Sequence, residues 1–237
     1  MLTKKYREEM IANVQSATQD MEADWDKRAE ENALLYTSDV DNYTDYYFFG
    51  LQSAYDLLNP VYNKLNTDGI ALEVGCGICR VLQHVANIFT GVCGTDVSQK
   101  ILELGEAKYK QDHHVYFQHI DGKSLFGIKD GEWDFVYSMY VLDHIPKKEW
   151  VVSLVRDMFR ITAPNGIIRI QLALHDTSTD EGTSWCGARW TEKEWKGFIN
   201  YFKKDSQISH DIKPDPFNND RDIKLKQNIC WTTIIKL

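Results

Sequence analysis

The residues with the most chemical content lie at Ala71-Leu72-Glu73-Val74-Gly75-Cys76-Gly77-Ile78-Cys79-Arg80, where an acid stands two residues ahead of a pair of close glycines. Glycines at such a point let the backbone turn sharply and let a ligand approach it. Two carboxylates follow, Asp96 in Asp96-Val97-Ser98 and Asp121 in Asp121-Gly122, each just past a short apolar run. They can accept hydrogen bonds from ligand hydroxyl or amino groups, although acids at such places are also ordinary turn formers. His144, in Ser138-Met139-Tyr140-Val141-Leu142-Asp143-His144-Ile145-Pro146, is the side chain best suited to take a proton near neutral pH. Its plainer role is to orient its own loop. His175 and Asp176 follow a later apolar run and can also reach a bound molecule. Cys76-x-x-Cys79 has zinc-type ligands, with His84 and Cys93 nearby, but no fourth ligand at finger spacing, so the thiols read as small apolar fillers and no metal is expected.

These residues need elements to carry them. Ile70–Val74, Gly91–Thr95, Val115–Ile120, Trp133–Ser138 and Gly166–Leu174 read as strands. Helical spacing separates them: Val81, Leu82, Val85, Ile88 and Phe89; then Gln99–Tyr109 behind an N-cap at Ser98; then Trp150, Leu154, Val155, Met158 and Phe159, stopped by Ala163-Pro164-Asn165-Gly166. Thr191 caps a further helix with Trp195, Phe198, Ile199 and Phe202, and Gln207–Ile212 with Asn228–Lys236 form a closing strand pair. Ahead of the first strand, Trp25, Ala29, Ala33 and Tyr36 mark one helix, Gly50–Leu65 is read as a second, and Asn66–Gly69 is a turn. Strands alternating with helices of this length predict an α/β domain with a mostly parallel sheet. Ligands of such sheets bind beyond the carboxyl ends of the strands, and every motif quoted above falls at one of those ends.

Two nucleotide-type cofactors compete for the glycine loop. The dinucleotide pattern G-x-G-x-x-G requires glycine where this chain has Arg80, and it does not include the acid at Glu73. The loop instead resembles motif I of the class I S-adenosylmethionine-dependent methyltransferases, [E/D]-x-G-x-G-x-G, with Cys79 replacing the third glycine. The resemblance covers residues 70–175 well and the Trp25-to-Tyr36 segment more loosely. It implies a Rossmann-like, doubly wound sheet of seven mostly parallel strands with the last antiparallel, plus an N-terminal helical extension. Residues 1–69 would form that extension or lid, and residues 70–237 the cofactor-binding domain. It further implies that Glu73, Gly75, Cys76, Gly77 and Arg80 lie along the methionine and ribose portion, with Glu73 ordering the loop or meeting the ammonium group. Asp96 would accept the ribose hydroxyls beside Val97, and Asp121 the adenine amino group beside Ile120 and Gly122. Met139 and Tyr140 would face the methionine and the acceptor, and Arg28 or Tyr36 the cofactor carboxylate. His144 is the candidate base, and S-adenosylhomocysteine the product. Trp185, Arg189 and Trp190 fall where the family builds part of its substrate wall, and half of these aromatics are read as packing.

Composition narrows the acceptor. The 237 residues are 43% hydrophobic, enough for one well-buried core, and 7 Trp, 12 Tyr and 10 Phe also suit an organic pocket. Lys and Arg total 27 against 35 Asp and Glu, a net charge of −8 that disfavours a phosphate backbone as partner. No Asn-Pro-Pro-Tyr-like tetrapeptide follows Ser138, so a small-molecule or peptide-like acceptor is expected, with no nucleic acid and no membrane partner. The sequence does not choose between an oxygen and a nitrogen, and it sets no oligomeric state. The opening MLTKKYREEMIANVQ lacks the apolar block of a secretory signal, and the five scattered cysteines read as reduced thiols, so a cytoplasmic location is expected.

Overall fold

The structure is a computed structural model that describes residues 17–214 and 227–237. The opening segment read above for a leader, residues 1–15, lies outside the described residues. Two helices come first, α1 (Met21–Ser38) and α2 (Tyr43–Leu58). There follow β1 (Ile70–Val74), α3 (Leu82–Val85), β2 (Gly91–Asp96), α4 (Gln99–Lys108), β3 (Val115–His119), β4 (Trp133–Ser138), α5 (Lys148–Ile161), β5 (Thr162–His175), α6 (Glu192–Ile199), β6 (Ser206–Pro214) and β7 (Gln227–Lys236). The seven strands form one sheet in the order β3-β2-β1-β4-β5-β7-β6. The first five pair in parallel, and β7 runs antiparallel to both β5 and β6.

Period-2 alternation sends successive residues of each central strand to opposite layers. Leu72, Val136, Ile168 and Ile170 meet Leu154, Val155 and Met158 of α5 and Trp195 and Ile199 of α6. Ala71, Phe135, Tyr137 and Ile167 meet Ala54, Leu57 and Leu58 of α2 and Leu82 and Val85 of α3. Both faces are covered, which is why these strands read as continuous apolar runs. The in-register pairs Ala71↔Phe135, Val74↔Ser138 and Asp96↔His119 bring the carboxyl ends of β1 to β4 to one edge.

Several boundaries differ from the sequence reading. The second helix begins at Tyr43 behind an Asn42 cap and ends at Leu58, with a 3-10 turn at Tyr62–Lys64. The regular helix after the glycine loop is only Leu82–Val85. The Ala163–Gly166 segment lies inside β5, with Asn165 in the left-handed region at φ 64°. The caps stand where expected: Ser98 accepts from the Ile101 N–H, and Thr191 forms a reciprocal capping box with Glu194.

Candidate active site

The glycine loop is held by β2. The N–H groups of Gly75 and Cys76 both donate to the Thr95 carbonyl, at 2.8 and 2.9 Å. Gly75 sits at φ 77° against Val141, whose side chain a Cβ would strike. Gly77 has φ 52°, and Cys79 has φ 69°. Cys79 thus keeps the left-handed backbone of the glycine it replaces, a conformation unusual for a side-chain-bearing residue. Cys76 and Cys79 are both buried, as the apolar-filler reading requires.

Asp96 joins the loop to the next helix. Its Oδ2 accepts from the Gly77 N–H and its Oδ1 from the Ser98 N–H, each at 3.0 Å. Burial raises this carboxyl above its ordinary value, while backbone donors at Ser98, Gly77 and Val97 oppose that rise. Beneath the loop, Glu73 is 3% exposed and its Oε2 accepts from the Tyr137 hydroxyl at 3.0 Å. Burial pushes the Glu73 carboxyl up to about 8. Arg80 is also buried; its Nη1 donates to the Ser53 hydroxyl at 2.6 Å, and its guanidinium lies over Phe49 and Tyr140, 4.3 and 5.2 Å from the ring centroids. It therefore ties α2 to the end of β4.

Farther along the edge, the Asp121 Oδ1 accepts from the N–H groups of Lys123 and Ser124, both at 2.8 Å, so this oxygen closes a turn. Gly122, at φ 69°, lies against Val97 and Met21. At the end of β4, Met139 is buried, and Tyr140 has φ 59° with its N–H donating to the Gln171 side chain at 3.0 Å. A bulky residue held at positive φ is a strained backbone position that its surroundings must hold in place.

Arg28, Tyr36 and His144 converge although they are far apart in sequence. Trp25 and Trp185 lie 5.3 and 5.4 Å from the His144 ring, and Tyr36 meets Trp185 edge-on at 6.0 Å. His144 Nδ1 is 2.7 Å from the Trp185 carbonyl. A carbonyl only accepts, so Nδ1 carries the hydrogen, and Nε2 is the basic nitrogen of the neutral ring. The Arg28 guanidinium lies over both tryptophans at 4.7 and 5.0 Å, and its Nη2 donates to the Ser184 hydroxyl at 3.1 Å. Its Nε and Nη1 are buried without a hydrogen-bond partner among the described residues. Burial lowers its pKa from the usual guanidinium value, opposed by Asp24. Unsatisfied donors in a buried cation are costly unless an anion meets them.

The remaining residues divide. Trp185 belongs to this cluster, whereas Trp190 packs on Trp195 and Phe198 in the core. His175 is at the end of β5 with its Nδ1 buried and unpartnered among the described residues, and burial lowers its pKa. The sequence reading missed Ser184, Tyr137, Gln171 and Met21. Only Met21 had a signal in advance, since Met21, Trp25 and Arg28 recur at i, i+4 and i+7.

Residues 72–170 match a family described as a methyltransferase domain. A ubiquinone biosynthesis O-methyltransferase of Thiobacillus denitrificans is 28% identical over 96 residues, 40% of each chain. A demethylmenaquinone methyltransferase of Staphylococcus haemolyticus is 26% identical over 139 residues, 51% of this chain and 56% of that one. The chain thus spans about half or less of the length of these curated relatives. Among solved structures, Haemonchus contortus phosphoethanolamine N-methyltransferase 1, in complex with phosphoethanolamine and S-adenosylhomocysteine, aligns with a TM-score of 0.64 at 14% identity, covering 92% of this chain and 48% of that one. At that identity the likeness is one of fold. Residues 72–170 thus match a methyltransferase domain, and the seven-stranded sheet with its antiparallel seventh strand is the Rossmann-like methyltransferase fold. Among the described residues no helix is long and apolar enough to cross a membrane.

The buried Glu73 carboxyl gives a pH signature. Its folded value of about 8 lies above the ordinary 4.5, so between those values the folded chain retains a proton that the unfolded chain releases. Stability conferred by that proton is present at low pH and is lost as pH rises toward 8, at up to about 1.4 kcal/mol per pH unit. Glu73→Gln has no such proton to lose, so its denaturation midpoints should vary less with pH across this window than those of the parent chain. Equal slopes in the two proteins would show that Glu73 ionises normally.

Proposed function

We propose that this chain transfers a methyl group from S-adenosylmethionine to an oxygen or nitrogen of a small-molecule or peptide-like acceptor. The observation that carries the reading is the Asp96 carboxylate at the end of β2, tied to the Gly77 N–H of a loop with left-handed glycines. Asp96 accepts the ribose hydroxyls, Val97, Asp121 and Gly122 take the adenine, and the loop from Gly75 to Gly77 lies along the methionine portion. Arg28 receives the methionine carboxylate, with Tyr36 closing that end. Met139 and Tyr140 border the reacting methyl. Residues 1–69 serve as extension and lid, and 70–237 as the cofactor-binding domain.

When bound, S-adenosylmethionine would supply an electrophilic methyl: an acceptor lone pair would attack the methyl carbon from the side opposite sulfur as the C–S bond breaks and S-adenosylhomocysteine leaves. The protein contributes chiefly alignment and exclusion of water in a closed site. His144, with Nδ1 fixed on the Trp185 carbonyl, offers Nε2 to the proton of an acceptor hydroxyl or ammonium. A carboxylate acceptor needs no base. The net charge of −8 supports a small or peptide-like acceptor over nucleic acid, and the scattered cysteines support a cytoplasmic location.

Calorimetry with S-adenosylhomocysteine and NADH tests the cofactor: binding of NADH alone would replace this reading with a dinucleotide enzyme. Tight cofactor binding without methyl transfer across a broad panel of acceptors would make the chain a non-catalytic binding module. Asp96→Ala should weaken S-adenosylhomocysteine by about tenfold or more; unchanged affinity removes the ribose role. Arg28→Met should lower the ratio of affinities for S-adenosylhomocysteine over 5′-methylthioadenosine, which lacks the amino-acid end, by about tenfold. A constant ratio places the carboxylate elsewhere. With a hydroxyl acceptor found in the panel, His144→Gln should cut the rate by about 10² or more while leaving S-adenosylhomocysteine affinity unchanged. A rate close to that of the parent chain shows that another group takes the proton.

A further inference from the structure

The face of α1 formed by Met21, Trp25 and Arg28 points into the edge where the strand ends carry Gly122, Val97 and His144. Met21 is buried, and a Cβ added to Gly122 would lie 2.5 Å from its Cε and 3.3 Å from Val97 Cγ2. Four residues on, one helical turn away, Trp25 packs against His144 and Trp185. At the other end of the helix, Thr37 lies over the loop, 3.3 Å from the place of a Cβ on Gly77. The helix is fastened on both sides. Asp26 accepts from the Ser98 hydroxyl at 2.6 Å and from the Lys100 N–H at 3.2 Å, placing an acid at the start of α4, and Glu30 pairs with Lys100 at 3.2 Å. Across the edge, Ser184 donates to Asp24 at 2.7 Å and accepts from Arg28.

Within α1 the helical backbone is interrupted at Asn32, with φ −168° and ψ 84°. The Asn32 side chain caps the second half by accepting from the Leu35 N–H at 3.1 Å. The two halves are therefore separately completed helices, and a rotation at one residue moves the first without unwinding the second.

We propose that the first half of α1 is an intramolecular occupant of the cofactor groove, with Met21 in the adenine position, and that it swings about Asn32 to admit S-adenosylmethionine. The proposal rests on the reading of Val97, Asp121 and Gly122 as the adenine edge. The docked helix is a competing state, so the apparent affinity is the intrinsic one reduced by the fraction of chains with the helix swung away. Release then depends on the Asp26 latch; Met21, eleven residues from Asn32, moves furthest, while Arg28, four residues from it, moves least and stays within reach of the bound carboxylate.

Stopped-flow tryptophan fluorescence and calorimetry with S-adenosylhomocysteine test this in the full chain. Met21→Ala and Asp26→Ala should each speed association and tighten binding, by about tenfold where the docked state dominates. Weaker or unchanged binding by both variants overturns the proposal, because a Met21 that only packs on a bound adenine predicts a loss. A second measurement locks the helix: Asp26→Cys combined with Ser98→Cys, oxidised to the disulfide, should bind no S-adenosylhomocysteine and should recover binding on reduction. Binding retained by the oxidised protein overturns the proposal. Absence of binding in every variant and in the parent chain overturns the cofactor reading itself, and this proposal with it.

Discussion

The Asp96 carboxylate is the contact on which the strand-end architecture depends. One oxygen fixes the Gly77 N–H and the other the Ser98 N–H, so a single side chain sets both the loop after β1 and the start of α4. Ser98 in turn caps α4 and donates to Asp26 of α1. The loop, the helix and the segment above them therefore share one anchor. Because this anchor is buried, its bonds are screened little by solvent, and its carboxyl pays for desolvation with backbone donors rather than with a neighbouring cation.

Around this anchor the molecule buries three further ionisable side chains. Glu73, Arg80 and Arg28 are all largely withdrawn from water. Glu73 is answered by a hydroxyl, and Arg80 by a hydroxyl and two aromatic faces. The two guanidiniums are less compensated than in a close ion pair and the Glu73 carboxyl keeps its proton, which makes these groups responsive to a charged ligand. Arg28 is the extreme case, with two guanidinium nitrogens unanswered among the described residues.

What the sequence reveals follows from where each signal resides. Strands covered on both faces read directly as short apolar runs, and the order of acids and glycines after them carries the resemblance to a methyltransferase. Caps at Ser98 and Thr191 were legible because capping is a local exchange between a side chain and the next turn. The start of α2 was not legible. Its first turns, Tyr43 to Phe49, are aromatic whether exposed, as Tyr43 and Phe48 are, or buried, as Tyr46 is, so hydrophobicity gave no periodic contrast. Within Ala163–Gly166, turn-forming residues concealed the first part of a strand that β7 helps to hold farther along. The contact of Arg28 with Ser184 joins residues 156 positions apart, and no local pattern encodes it.

The placement of β7 between β5 and β6 bears on how the chain assembles during synthesis. β6 leaves the ribosome before β7, yet among the described residues its sheet partner is β7 alone. The first five strands can pair as they emerge, but β6 has no ladder to join until the later segment arrives. Trp231 and Cys230, which pack into opposite layers, reach their places only with that segment. The β5 edge and its unpaired backbone groups thus stay available to nascent neighbours until translation has passed residue 236, an interval in which chaperone protection would matter most.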